Sequence, residues 1–134
     1  MELARIHRIR GPLYRLEGVR CTACGALSLP PRELCGECGG ADSQIYRFTG
    51  RGTLFSYTEV FMAPEDHTAA APYYIGLVRL EEGILVLAQL TDMPDDELKM
   101  GMPLESVFRK IMADGNDGLI VYGYKFRPLL QPEA

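Results

Sequence analysis

The spacing of apolar positions changes character along this 134-residue chain. Leu3, Ile6, Ile9 and Leu13 recur every three or four residues, which predicts a helical lead-in over residues 2–18. Gly11-Pro12 interrupts that pattern and predicts a break, with Leu13 to Leu16 as a short turn or helix before Gly18. The next thirty residues hold only brief apolar runs. Leu27-Ser28-Leu29 predicts a short strand ended by Pro30-Pro31, and Ile45-Tyr46-Arg47-Phe48 predicts a second.

From Thr53 onward the period is that of strands. Thr53 to Phe61 alternates an aromatic set (Phe55, Tyr57, Phe61) with a smaller one (Leu54, Ser56, Thr58, Val60). Tyr73 to Leu80 and Ile84 to Leu90 flank Glu81-Glu82-Gly83, the pattern of a tight hairpin. Leu104 to Ile111 and Leu119 to Phe126 complete five strands, joined by the turn residues Asp114 to Gly118. Between the third and fourth, Asp92 to Met100 predicts a short helix. Asp92 is placed to cap it, Pro94 sits early, and Asp95, Asp96 and Glu97 favour the positive helix start. Five strands with a helix after the third is the order of an OB-type barrel. The expected organisation is mainly β: a helical segment at 1–18, a small module at 19–50 bounded by Gly50 and Gly52, and a barrel at 51–134.

Composition is that of a soluble globular protein, 47% hydrophobic and 24% charged, with no run long enough to span a membrane. Residues 1–10 have arginines but no apolar run behind them, so they do not read as an export signal, and a cytoplasmic location is expected. The charge is uneven. Residues 1–51 carry eight Lys/Arg against five Asp/Glu, a balance of +3; residues 52–134 carry six against thirteen, a balance of −7. An acidic barrel speaks against a nucleic-acid groove, which needs a basic track.

All four cysteines fall within residues 21–38, as the pairs Cys21/Cys24 and Cys35/Cys38, each followed by glycine. A C-x-x-C turn aims two thiolates at one point. Two such turns supply the tetrahedron of soft ligands that zinc prefers in a closed structural site. Gly25 and Gly39 suit a chain doubling back at positive φ, which lets backbone N–H groups face the sulfurs. Two disulfides and a redox iron are the competing readings of the same residues. Arg5, Arg8, Arg10, Arg15 and Arg20 alternate with the apolar positions ahead of and beside this module. They read either as the solvated face of a docking helix or as a basic surface for a partner or a phosphate-bearing ligand.

Tyr14-Arg15-Leu16-Glu17-Gly18, Arg20 before Cys21, Leu29-Pro30-Pro31-Arg32, the glycines after both cysteine pairs, Gly50-x-Gly52-Thr53-Leu54 and Pro72-Tyr73 together resemble the DUF35 family. The resemblance covers roughly residues 10–130. It implies a rubredoxin-like zinc ribbon followed by a five-stranded OB-fold barrel, with Cys21, Cys24, Cys35 and Cys38 on zinc. It also implies an acyl-CoA-binding accessory subunit of a thiolase-like enzyme. The compact layout resembles the group that joins acetoacetyl-CoA thiolase to hydroxymethylglutaryl-CoA synthase.

Arg20, Arg32 and Tyr14 fall on motif positions beside the ribbon and are candidate contacts to coenzyme A or to the partner. Arginine pairs with phosphate and stacks on planar rings, but the two arginines equally suit compensation of a tetrathiolate charge, and Tyr14 suits packing. The stretch from Met62 to Pro72, with His67, is long for a hairpin and is a candidate ligand channel or interface. No nucleophile, base and orienting group can be assembled from the sequence. The expectation is therefore a non-catalytic scaffold, with a single-stranded nucleic-acid module and an iron electron carrier as alternatives.

Overall fold

The computed structural model describes residues 3–63, 71–94, 96–113 and 118–130. The chain forms two compact units, Met1–Thr49 and Gly50–Ala134.

The first unit opens with α1 (Leu3–Arg8) and α2 (Arg10–Arg15). The break falls at Ile9, two residues ahead of the Gly11-Pro12 that predicted it. Pro12 is tolerated inside α2 because it occupies the first turn, where its missing N–H has no helical partner to lose. Leu16 ends α2 at φ 52°, its N–H bonded to the Gly11 carbonyl. It is itself buried, as is Ile6.

Three antiparallel strands follow, β1 (Glu17–Cys21), β2 (Leu27–Ser28) and β3 (Ser43–Arg47), in the order β2-β1-β3. β1 pairs Val19 with Ser28 on one side and with Ile45 on the other. Gly18 is required at its place in β1, because a Cβ there would strike the Ser28 carbonyl and the Phe48 ring. The first unit buries few apolar side chains: Ile6, Leu16, Cys21, Leu29 and Phe48 among the described residues.

The second unit is a closed five-stranded barrel of β4 (Arg51–Val60), β5 (Tyr73–Leu80), β6 (Leu85–Leu90), β7 (Pro103–Ala113) and β8 (Ile120–Pro128), in the order β4-β5-β6-β8-β7. β4 closes on β7 through Arg51–Thr53, and β6 meets β8 in parallel through Leu90 and Phe126. The barrel interior is filled by Leu54, Val78, Leu80, Leu104 and Phe126, none more than 2% exposed. Gly76 faces that core closely, since an added Cβ would lie 2.9 Å from Leu54 and 3.1 Å from Leu90. A register shift between Leu54 and Ser56 lets Leu54 face inward while Phe55 stays exposed, its ring beneath the Arg79 guanidinium. The hairpin at Glu81–Gly83 forms as expected, with Gly83 at φ 96° and its N–H bonded to the Leu80 carbonyl.

The segment between β6 and β7 does not form the expected helix. Asp92 adopts φ 55°, outside the extended conformation of a helix cap, and the Glu97 N–H bonds to the Pro94 carbonyl as a single turn. The next residues are bonded to the sheet instead: the Gly101 N–H to the Leu54 carbonyl at 2.7 Å, and the Leu54 N–H to the Met102 carbonyl at 3.0 Å. These bonds dock the segment on β4 and bury Met102. Residues 114–117 of the last turn lie outside the described residues.

Candidate metal centre

The two cysteine pairs form two turns with the same hydrogen bonds. In the first, the Cys21 N–H bonds to the Ala26 carbonyl at 2.8 Å and the Gly25 N–H to the Cys21 carbonyl at 2.9 Å. In the second, the Cys35 N–H bonds to the Gly40 carbonyl at 2.9 Å and the Gly39 N–H to the Cys35 carbonyl at 3.0 Å. Gly25 and Gly39 occupy matching positions at φ 78° and 75°. A side chain there would strain both turns. The first turn is tied to the stretch before β3 by the Thr22 N–H and hydroxyl, both donating to the Asp42 carbonyl.

These turns bring the four sulfurs within 4.8 Å of one another. Cys21 Sγ lies 3.6 Å from Cys38 Sγ and Cys24 Sγ 3.5 Å from Cys35 Sγ. A tetrahedral zinc thiolate with bonds of about 2.3 Å has sulfur–sulfur edges of about 3.8 Å. The cysteines are free thiols, not disulfides. The residues therefore fit a structural zinc, which Cys21, Cys24, Cys35 and Cys38 would hold with no position left for a substrate.

The N–H groups of Cys24 and Ala23 draw the Cys21 thiol down, and those of Cys38 and Glu37 draw Cys35 down to about 6. At Cys24 the Ala26 N–H acts in the same direction, but the sulfurs of Cys35 and Cys38 push the thiol up to about 12. Cys38 is likewise raised by Cys21 and Cys35 against the pull of the Gly40 N–H. Cys21 and Cys35 are thus drawn toward the thiolate, while Cys24 and Cys38 keep protons that a divalent cation would replace.

Gly40 completes the cradle. A Cβ there would lie 3.3 Å from Cys38 Sγ and 3.6 Å from Cys21 Sγ. Gly40 is marked in the sequence only as the second glycine of Cys38-Gly39-Gly40, where the first turn has Ala26, and it is not among the expected site residues.

The other expected site residues are not drawn into one cluster with the sulfurs. Arg20 is exposed on β1, opposite Leu27 and Gln44. Arg32 is exposed, with its Nη1 3.0 Å from where a Cβ on Gly36 would stand, which puts its charge beside the second turn. Tyr14 is exposed on α2. His67 lies outside the described residues, as does most of the Met62–Pro72 stretch. No described helix is long and apolar enough to cross a membrane.

Two family models match the two parts of the chain. Residues 3–43 match the rubredoxin-like zinc ribbon domain of ChsH2, and residues 46–109 match its C-terminal OB-fold domain. A DUF35 domain-containing scaffold protein from Pyrococcus furiosus is 43% identical over 133 residues, which is 99% of this chain and 97% of that protein. The benzoylsuccinyl-CoA thiolase subunit BbsA of Thauera aromatica is 29% identical over 119 residues, 85% of this chain and 76% of that subunit. Among solved structures, an Ltp2-ChsH2(DUF35) aldolase superposes with a TM-score of 0.69 at 28% identity, covering 92% of this chain and 89% of that one.

Proposed function

Because the chain belongs to the DUF35 family, we propose that it is a non-catalytic accessory subunit of a thiolase-type enzyme complex that handles acyl-CoA. The observation that carries this reading is the nearly end-to-end match to a scaffold protein of the same size. A thiolase subunit and an aldolase assembly among the similar proteins support the same partner class. In this reading the zinc has a structural role and holds the ribbon's shape for docking. The partner is a thiolase-like enzyme, and the finer form of the proposal is a bridge from acetoacetyl-CoA thiolase to hydroxymethylglutaryl-CoA synthase in the cytoplasm. Arg20, Arg32 and Tyr14, all exposed, are assigned to contacts with the partner or with CoA.

Co-purification of a tagged copy from its native host, followed by mass spectrometry, tests this. A thiolase-like enzyme in stoichiometric yield is the expected result, with the synthase alongside it if the bridging form holds. Recovery of nucleic-acid-processing proteins in its place would overturn the reading in favour of a polynucleotide-binding ribbon and barrel.

A further inference from the structure

The first unit contains a cleft of about 350 Å³ between the helical segment and the ribbon. Its polar wall is cationic: His7 and Arg8 come from α1, and Arg10 and Arg15 from α2. The one carboxylate in the lining, Glu17, is occupied by Arg15, whose Nε lies 2.7 Å from its Oε1. No described carboxylate pairs with Arg8 or Arg10. The lining thus has three arginines against one carboxylate, two of them without a described counter-ion.

Unpaired guanidinium groups in a concave surface call for an anion, and phosphate oxygens match their planar fork in two-point contacts. The lining also has apolar members: Pro12 of α2, and Pro31 and Ile45 of the ribbon, Ile45 with 76% of its surface exposed. An inorganic anion has no use for such members, whereas a base or sugar face does. The volume lies near the lower end of the roughly 300–1,000 Å³ range of small-molecule sites. It suits one nucleotide and not a long thioester arm. Arg20, Arg32 and Tyr14 do not line this cleft.

We propose that the cleft between α1, α2 and the ribbon binds the phosphorylated end of a nucleotide. Arg8 and Arg10 take the phosphate, Arg15 is held in place by Glu17, and the base or sugar lies against Pro12 and Ile45. The nucleotide end of CoA is the source that the proposed function supplies, and the inference rests on that reading to this extent. A free nucleotide is the other source of the same chemistry.

The test is calorimetric titration of the full zinc-loaded chain with adenosine 3′,5′-bisphosphate, CoA, AMP, pantetheine and a short oligonucleotide, repeated on R8Q/R10Q and on K99Q. The expected result is one saturable site for which the bisphosphate and CoA compete and to which pantetheine does not bind. R8Q/R10Q should weaken it about tenfold or more, as loss of charge-assisted contacts implies. Zinc content and Tm should stay unchanged, and K99Q, at an exposed lysine of the barrel, should bind as the parent does. AMP binding as tightly as CoA would identify a free nucleotide as the source and keep the cleft. Lack of bisphosphate binding, or parental CoA affinity in R8Q/R10Q, overturns the cleft. If a thiolase-like enzyme still co-purifies in either case, the accessory-subunit reading survives alone. Tighter binding of an oligonucleotide than of the bisphosphate also overturns it.

Discussion

Removing the metal with a chelator at neutral pH should unfold the first unit and leave the barrel folded. Among the described residues the first unit buries five apolar side chains, Ile6, Leu16, Cys21, Leu29 and Phe48, and the second buries eleven. At about 1.5–3 kcal/mol for each fully buried side chain, apolar burial contributes roughly 8–15 kcal/mol to the first unit. A structural zinc on thiolates contributes about 10–16 kcal/mol at neutral pH. The two contributions are of the same size, so loss of the metal removes as much as all of the unit's buried apolar side chains supply. Hydrogen exchange read by mass spectrometry separates the units. After chelation, peptides over residues 17–47 should exchange at once, while residues 78–90 and 120–128 keep their protection. Full metal removal, confirmed by elemental analysis, with protection retained over 17–47 would refute the reasoning. The same elemental analysis on fresh protein decides between zinc and iron.

Acidification should release the metal, because Cys24 and Cys38 hold protons in the metal-free chain and binding must displace them; zinc affinity measured by competition should rise with pH across the neutral range. Gly40→Ala should lower zinc affinity by about tenfold or more, since its Cβ presses on Cys38 Sγ at 3.3 Å; unchanged affinity would show that the turn yields freely. Gly76→Ala should destabilise the barrel by about 1–3 kcal/mol in urea melts without altering metal content, because the new methyl meets Leu54 at 2.9 Å in a filled core. Burial raises the Tyr124 hydroxyl above its ordinary value, so its share of stability is present below the unfolded value and is lost as pH rises through the folded one. Tyr124→Phe should accordingly flatten the alkaline limb of a Tm-against-pH profile.

The cysteine site was legible because its chemistry is local. Each six-residue turn carries its ligands, its glycine and its hydrogen bonds within itself. The barrel strands were legible from the alternation of side chains between a packed interior and solvent. β1 was not, because Glu17-Gly18-Val19-Arg20-Cys21 has a glycine where a strand former would stand, and that glycine answers to Ser28 and Phe48 across the sheet. The segment after β6 misled for a related reason. Its acidic residues suit a helix start, but its docking bonds run to Leu54, nearly fifty residues earlier. The basic cleft joins Arg8 and Arg10 to Ile45 and was visible only as a row of arginines.

The parallel junction at Leu90 and Phe126, with the Thr91 N–H on the Phe126 carbonyl at 2.8 Å, is the shortest ladder in the barrel among the described residues. Every other neighbouring pair of strands is held over three or more residues. A cylinder sealed so briefly on one side has a natural line of parting, along which it opens like a split cuff with its other strands still joined. Solvent entering the interior, and a polypeptide seeking unpaired backbone to lie against, would both find their way in along β6 and β8.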